Sequence, residues 1–344
     1  MRMKLTVRLF ILYGSGAAIA CIAALAVLIL YWPQSKSSDM AKITIKQGET
    51  LSEISQYLIN VGVISNQHTF QWAVQIKGLE TSIPAGTFRL RDANTNNKII
   101  RQLVNGAPEL KKVTILEGWS LHQIAEYLSA EMGFKSNEII ELSQNDTLIR
   151  SLDISSSKLE GYLYPDTYYF FEGDTPKSVL TKLVKEYKKF WTDEKYSQAR
   201  ALQMSEKEVV TLASIIEGEA TYDNERPIIS AVYHNRLKKG MKLQADPTVQ
   251  YIIDDGPRRL LNKDLEIDSP YNTYLYNGLP PGPINSPGSK SLQAALYPAE
   301  NHYLYFVARG DGYHTFSNTE IEHKRAKRAF QKVRSKVRRD DSNE

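Results

Sequence analysis

The spacing of apolar positions changes several times along the chain. From Leu9 to Trp32 they form a run without a charge, slightly longer than the ~20 residues an α-helix needs to cross a bilayer, which predicts a transmembrane span. The run ends in bulky Leu30, Tyr31 and Trp32 with no small-x-small site after it, so an uncleaved anchor is expected in place of a removed signal peptide. Arg2, Lys4 and Arg8 precede it and only Lys36 follows closely, which puts the N-terminus in the cytoplasm and everything after residue 40 on the far side of the membrane. Pro33 to Met40 reads as a polar tether with a reach of roughly 30 Å at ~3.3 Å per extended residue.

Beyond the tether one pattern occurs twice, at an offset of 70: ITIKQGETLSEISQYL from Ile43 and VTILEGWSLHQIAEYL from Val113. In each copy alternating residues predict a strand, Gly48 or Gly118 marks a turn, and Thr50 or Ser120 stands at an N-cap position ahead of helical Leu and Ile spacing. A second helix (His68 to Lys77; Ser136 to Ser143) and a Gly-containing strand (Ala85 to Leu90; Gly161 to Phe170) complete a β-α-α-β unit. The first copy resembles a LysM module, a fold that binds N-acetylglucosamine-containing glycans; a packing unit that has kept the fold without the ligand is the alternative. In the second copy's last strand, Tyr162, Tyr164, Tyr168 and Phe170 alternate, giving a face of rings for either a core or a sugar, and Pro165-Asp166 is expected to bend it.

Val209 to Ala220, VVTLASIIEGEA, predicts a helix with Val209, Leu212, Ala213, Ile216 and Ala220 on one stripe. Glu217 and Glu219 fall on opposite edges of that stripe, and periodicity does not choose between them. A carboxyl beside an apolar face is where desolvation raises the proton affinity toward that of a general acid. Asp223 to Pro227 starts a further helix that Gly240 closes, and Asp246 before Pro247 reads as an N-cap with proline at the first helical position. A long Pro/Gly/Tyr/Asn-rich loop from Ser269 leads to a helix begun at Ser286-Pro287. Tyr303 to Ala308 and Tyr313 to Ser317 form a hairpin, and Thr319 with Glu322 is a capping box opening a basic terminal helix.

Composition narrows the chemistry. The excess of basic residues, 43 against 39 acids, is local, because nine of them lie between Lys324 and Arg339, leaving 34 elsewhere, so nucleic acid is not an expected partner. The single cysteine, Cys21, forms no internal disulfide, and the histidines show no metal-ligand spacing, so no metal or other cofactor is expected.

LEGYLYPDTY, LASIIEGEA, NRLKKGMKLQADPTVQY, SPYNTYLYNGLPPGPINSPG and YLYFVARGDGYHTF together resemble the endolytic murein transglycosylases, the MltG or YceG-like family, and the resemblance covers nearly the whole chain. It implies an α+β protein with a single N-terminal transmembrane helix: anchor and tether over 1–40, a LysM-like subdomain over 41–108, a second LysM-like or connecting repeat over 109–158, a catalytic domain over 159–335 and a polar tail over 336–344. The implied activity is that of a lyase cutting the β-1,4 bond between N-acetylmuramic acid and N-acetylglucosamine to leave a 1,6-anhydro end. The family's catalytic glutamate, in its ASI(I/V)E motif, falls on Glu217, while Gly218 stands where a lysine is expected. Gln244, Asp246, Tyr271, Asn272 and His314, from the matched blocks, are candidates to hold the sugar. Peptidoglycan strands, the plasma membrane and peptidoglycan synthases are the implied partners, with the catalytic part extracytoplasmic. A water-using muramidase and a non-catalytic peptidoglycan-binding scaffold are the rival readings.

Overall fold

A computed structural model describes residues 2–34, 41–253, 256 and 258–341, with side chains from Ser15 to Lys332 within that set. It divides into two units, Met1–Lys112 with Tyr169–Thr175, and Val113–Tyr168 with Pro176–Glu344.

The first unit holds α1 (Arg2–Tyr31), β1 (Ala41–Ile45), α2 (Leu51–Asn60), α3 (Gln67–Ile76), β2 (Gly86–Leu90) and α4 (Asn96–Asn105). β1 pairs antiparallel with β2 from Ala41↔Leu90 to Ile45↔Gly86. The two-residue period of the pleat sends Ile43, Ile45, Phe88 and Leu90 into a core completed by Leu58 and Phe70. Thr50 and Glu53 form a reciprocal capping box at the start of α2. The first repeat is therefore the β-α-α-β unit expected. The helix α4 was not expected; it starts at Thr95, whose hydroxyl accepts from Lys98 N.

Among the described residues no helix is long and apolar enough to cross a membrane. The expected span from Leu9 begins outside the described side chains, and along the described part of α1 Ile19, Ile22, Leu25 and Leu28 are exposed. The polar tether expected over Pro33 to Met40 begins beside residues that are bonded to the first unit. The last carbonyls of a helix lack partners within it, and Asn96 Nδ2 donates to the one at Ile29 across 2.8 Å. Gln34 N donates to Asn94 O across 2.8 Å, and Ile29 and Leu30 pack on the unit's core. The rest of the expected tether, 35–40, lies outside the described residues.

The second unit takes in only two of the five residues of each of β3 (Leu110–Thr114) and β4 (Thr167–Phe171), together with the elements between them and all those from Pro176 on. β3 (Leu110–Thr114), α5 (Leu121–Met132), α6 (Ser136–Ser143), α7 (Asp146–Ser151) and β4 (Thr167–Phe171) form the second repeat, in which β3 pairs with β4. Ser120 and Gln123 repeat the capping box. Gly48 and Gly118 have φ of +88° and +77°, the left-handed region that glycine enters without a Cβ penalty. After them come α8 (Pro176–Phe190), α9 (Asp193–Ala201), α10 (Glu206–Glu219), α11 (Arg226–Lys238), α12 (Asp246–Gln250) and α13 (Ser289–Leu296). The hairpin β5 (Tyr305–Ala308) and β6 (His314–Ser317) precedes α14 (Glu320–Asp341).

Two expectations about elements change here, and Val113–Tyr168 and Pro176–Glu344 fall in one compact unit. The reason is backbone pairing: Gly118 N donates to Ser286 O across 2.9 Å and Ser286 N to Trp119 O across 2.8 Å, which ties the repeat's turn to the long loop. The strand expected from Gly161 begins only at Thr167; Tyr168 Oη donates to Tyr164 O across 2.6 Å over the Pro165-Asp166 turn, and Tyr162, Tyr168 and Phe170 are buried. Finally, α10 has no single apolar stripe, because every residue from Val209 to Ile216 is buried, the pattern of a helix wrapped on all sides. Its polar positions are satisfied: Ser214 Oγ accepts from Ile284 N, and Ser214 O accepts from Asn285 Nδ2 across 2.9 Å.

Candidate active site

Glu217 lies in the last turn of α10, and its side chain is only 6% exposed. A carboxylate withdrawn to that degree must be paired to be tolerated. Arg226 Nη1, at the start of α11, is 3.0 Å from Glu217 Oε1, and the backbone N–H of Gly288, the N-cap of α13, donates to Oε2 across 2.9 Å. Arg226 is itself nearly buried and is oriented by Asp223 at 3.1 Å and by the Ser291 hydroxyl. A helix N-terminus and a guanidinium thus converge on one carboxylate. The turn of the second repeat forms the remaining wall, since a Cβ on Gly118 would stand 3.7 Å from Glu217 Cγ and Glu117 lies against Gly288.

Two residues further on, 200° around the helix, Glu219 faces a different environment. Tyr233 Oη donates to Glu219 Oε1 across 2.8 Å. The residue as a whole is half-buried, but enclosure of its carboxyl, assisted by the charge of Asp246, pushes it up to about 7 against the Tyr233 hydrogen bond. Glu219 lines a cleft of about 830 Å³ with Gly118, Lys158, Glu160, Asp246 and Tyr251. Glu160 is almost fully buried and accepts from Leu121 N across 2.8 Å; burial pushes it up to about 7 as well, opposed by that N–H and by Lys158. Lys158 Nζ donates to Tyr251 Oη across 2.6 Å and lies 5.0 and 5.2 Å from the Tyr251 and Tyr271 ring centroids.

Gly218, between the two glutamates, also lines the cleft, and a Cβ on it would stand 2.7 Å from Pro247 Cβ. Close approach of α10 to α12 accounts for glycine where a lysine was expected.

The five substrate candidates are dispersed. Asp246 is on the cleft wall, but it is not the N-cap expected: Ala245 occupies that position, and the Asp246 carboxylate instead accepts from Tyr274 Oη. Gln244 is exposed at φ +47°, a conformation that costs a non-glycine residue about 1–2 kcal/mol. It is held there because Gln244 N donates to Thr273 O across 3.0 Å and Ala245 N to Thr273 Oγ1 across 2.9 Å. Tyr271 stands at the cleft edge, its ring 5.0 Å from that of Tyr251. Asn272 is fully buried, donating to the carbonyls of Leu265 and Ile267 and accepting from Tyr274 N, which occupies its amide with folding the loop. His314 is also turned inward: its backbone N and Nδ1 bond Glu225 at 3.0 and 2.8 Å. Since Glu225 directly precedes Arg226, the hairpin braces the residue that holds Glu217. Arg226, Gly288, Glu117, Glu160 and Tyr233 were not foreseen, because their pairings span long sequence distances.

The chain belongs to the YceG-like family, whose model matches residues 43–329. It is 36% identical over 312 residues, 86% of either chain, to the endolytic murein transglycosylase of Bacillus subtilis. It is 28% identical over 323 residues to that of Streptococcus pneumoniae D39, a match that covers 85% of this chain and 58% of the pneumococcal protein. The crystal structure of a YceG-like protein from Listeria monocytogenes superimposes with a TM-score of 0.58 at 35% identity, covering 84% of this chain and 99% of that one.

Proposed function

We propose that this protein is a lyase of peptidoglycan glycan strands, an endolytic transglycosylase in which Glu217 serves as both acid and base. The observation that carries the reading is one buried carboxylate held between Arg226, the Gly288 N–H and the Gly118 turn, next to Gly118 and Gly218, which line a cleft large enough for sugar residues. Family membership and the names of the relatives support it.

Glycosidases that use water generally need two carboxylates, one for the leaving group and one for the nucleophile. A single one suffices for the intramolecular route. Glu217 protonates the glycosidic oxygen as the C1–O4 bond breaks, and the 2-acetamido oxygen stabilises the electron-poor C1. The Glu217 carboxylate then takes the proton from the muramoyl O6 hydroxyl, O6 closes on C1, and the 1,6-anhydro end forms with the acid regenerated. Asp246 on the cleft wall and Tyr271 beside Tyr251 hold the sugar, with exposed Gln244 two residues before Asp246 as a further contact, whereas Asn272 and His314 act by fixing the loop and the Arg226 brace.

We also assign α1 as a single membrane span with a cytoplasmic N-terminus and an extracytoplasmic catalytic unit. The uncharged run from Leu9 to Trp32 and the three basic residues ahead of it support this. The first β-α-α-β repeat is assigned as a glycan-binding LysM-like module on the resemblance of its turn. A protein so anchored acts on strands close to the membrane, beside the synthases that make them.

Digesting purified peptidoglycan with the full-length protein and weighing the products tests the proposal. Anhydro-ended fragments are expected. Reducing ends, heavier by one water, would assign a muramidase, and no product would leave a binding scaffold.

A further inference from the structure

The two copies of the repeat differ at the residue before the turn glycine. The first has Gln47 and the second, 70 residues on, Glu117. The first copy's turn has no catalytic group to serve, whereas the second copy's turn forms one wall around Glu217.

Glu117 is tightly placed there. A Cβ on Gly288 would stand 1.9 Å from Glu117 Oε1 and 2.2 Å from its carboxyl carbon, so the two residues are in contact. Gly288 donates its N–H to Glu217. The carboxyls of Glu117 and Glu217 therefore flank the same backbone unit, one bonded to its nitrogen and the other pressed on its Cα. Arg226 and Gly288 attract the charge on Glu217; Glu117 repels it. The other charges around the pair are Asp223, which pairs with Arg226 and Lys290, and Lys290 itself, with the Tyr164 phenol beside Ser289. Partial desolvation, and then the charge of Glu217, raise the proton affinity of Glu117. More than a third of Glu117 remains exposed, so water screens this repulsion in the free protein, and a glycan strand laid over the turn would remove that screening.

We propose that Glu117 is a positioning residue for the Glu217 acid–base: its carboxylate, set against Gly288, offsets the pull of Arg226 and the Gly288 N–H, so that Glu217 can both give and take a proton. This rests on the assignment of Glu217 above and adds a second carboxylate that does not touch the reacting atoms.

The test is the pH profile of anhydro-end release by the full-length protein, measured for the unaltered chain, Glu117→Gln and Glu117→Asp. Removing the repelling charge makes Glu217 lose its proton more readily. The high-pH limb should therefore move down by about half a unit or more in Glu117→Gln. The shift should be larger in kcat, which reports the substrate complex, than in kcat/KM, which reports the free protein. Glu117→Asp retains the charge and should restore most of the limb. A Glu117→Gln profile superimposable on that of the unaltered chain, or one lowered equally at every pH, would overturn the proposal, as would Glu117→Asp behaving like Glu117→Gln. If Glu117→Gln does not fold, Glu117→Ala takes its place: a high-pH limb lowered by about half a unit or more supports the proposal, and an unmoved limb or a uniform loss overturns it. Failure of the underlying assignment is distinguishable, because the unaltered chain would then release no anhydro ends at any pH.

Discussion

Arg226 and Glu217 meet at 3.0 Å with side chains 7% and 6% exposed, a buried ion pair joining the start of one helix to the end of another. Such a pair matters less for what it adds than for what its loss leaves behind, an uncompensated charge out of water. Arg226→Met should lower stability by about 3 kcal/mol, read from urea unfolding, and abolish most product formation. Arg226→Lys keeps the charge without the planar fork that also reaches Asp223 and Ser291. It should recover more than half of that stability while remaining slow. Equal unfolding midpoints for Arg226→Met and the unaltered chain would contradict the burial argument.

Gly288 supplies the second contact on Glu217, and the Glu117 carboxyl occupies the space a side chain at 288 would take. Gly288→Ala would place a methyl group on the Glu117 carboxyl. The exposed Glu117 side chain can swing aside, so the cost in stability should be small, about 0.5 kcal/mol. Activity should fall further than stability implies, because the Gly288 N–H bonds Glu217 directly. Kinetics and thermal unfolding of the same preparation check this, with an unchanged kcat as the contrary result.

Glu160 and Glu219 make stability depend on pH in an unusual direction. Each is pushed from 4.5 up to about 7 in the folded protein. Between those values the folded state binds more protons than the unfolded state, so stability falls as pH rises from about 4.5 through about 7. The loss should be on the order of 1–3 kcal/mol for each residue. Glu160→Gln and Glu219→Gln, which mimic the protonated form, should each flatten that decline in unfolding measured from pH 4.5 to 8. A slope unchanged in both variants would contradict the enclosure of these carboxyls.

The repeats were legible because their information is local. Thr50 with Glu53 and Ser120 with Gln123 announce helix starts within a few residues, and each glycine turn sits beside them. The helix α9, DEKYSQARA, buries only Ala199 and has little periodicity to read. The site was legible only as far as Glu217, through a motif. Its partners Arg226 and Gly288 are 9 and 71 residues away, and nothing in local spacing reveals that a helix start, a loop glycine and a repeat turn meet on one carboxylate. For the same reason Glu217 and Glu219 read as helix-edge residues, whereas Arg226 and Tyr233 reach across to pair with their carboxyls. Asp246 shows a different failure: its sequence fits an N-cap, and the Tyr274 hydroxyl, 28 residues on, takes the carboxylate instead.

The account turns on Glu217, and Glu219 is its natural control. Glu217→Gln keeps size but removes the titratable proton, so release of anhydro ends from purified peptidoglycan should fall by about 10²- to 10⁴-fold while glycan binding persists. Glu219→Gln should be far milder at neutral pH, because a carboxyl held up to about 7 is already partly protonated and an amide resembles that form. Mass spectrometry of the released muropeptides from both variants, with thermal unfolding to show that each is folded, measures this directly. Near-normal anhydro-product formation by Glu217→Gln, or an equal loss in Glu219→Gln, would contradict the assignment.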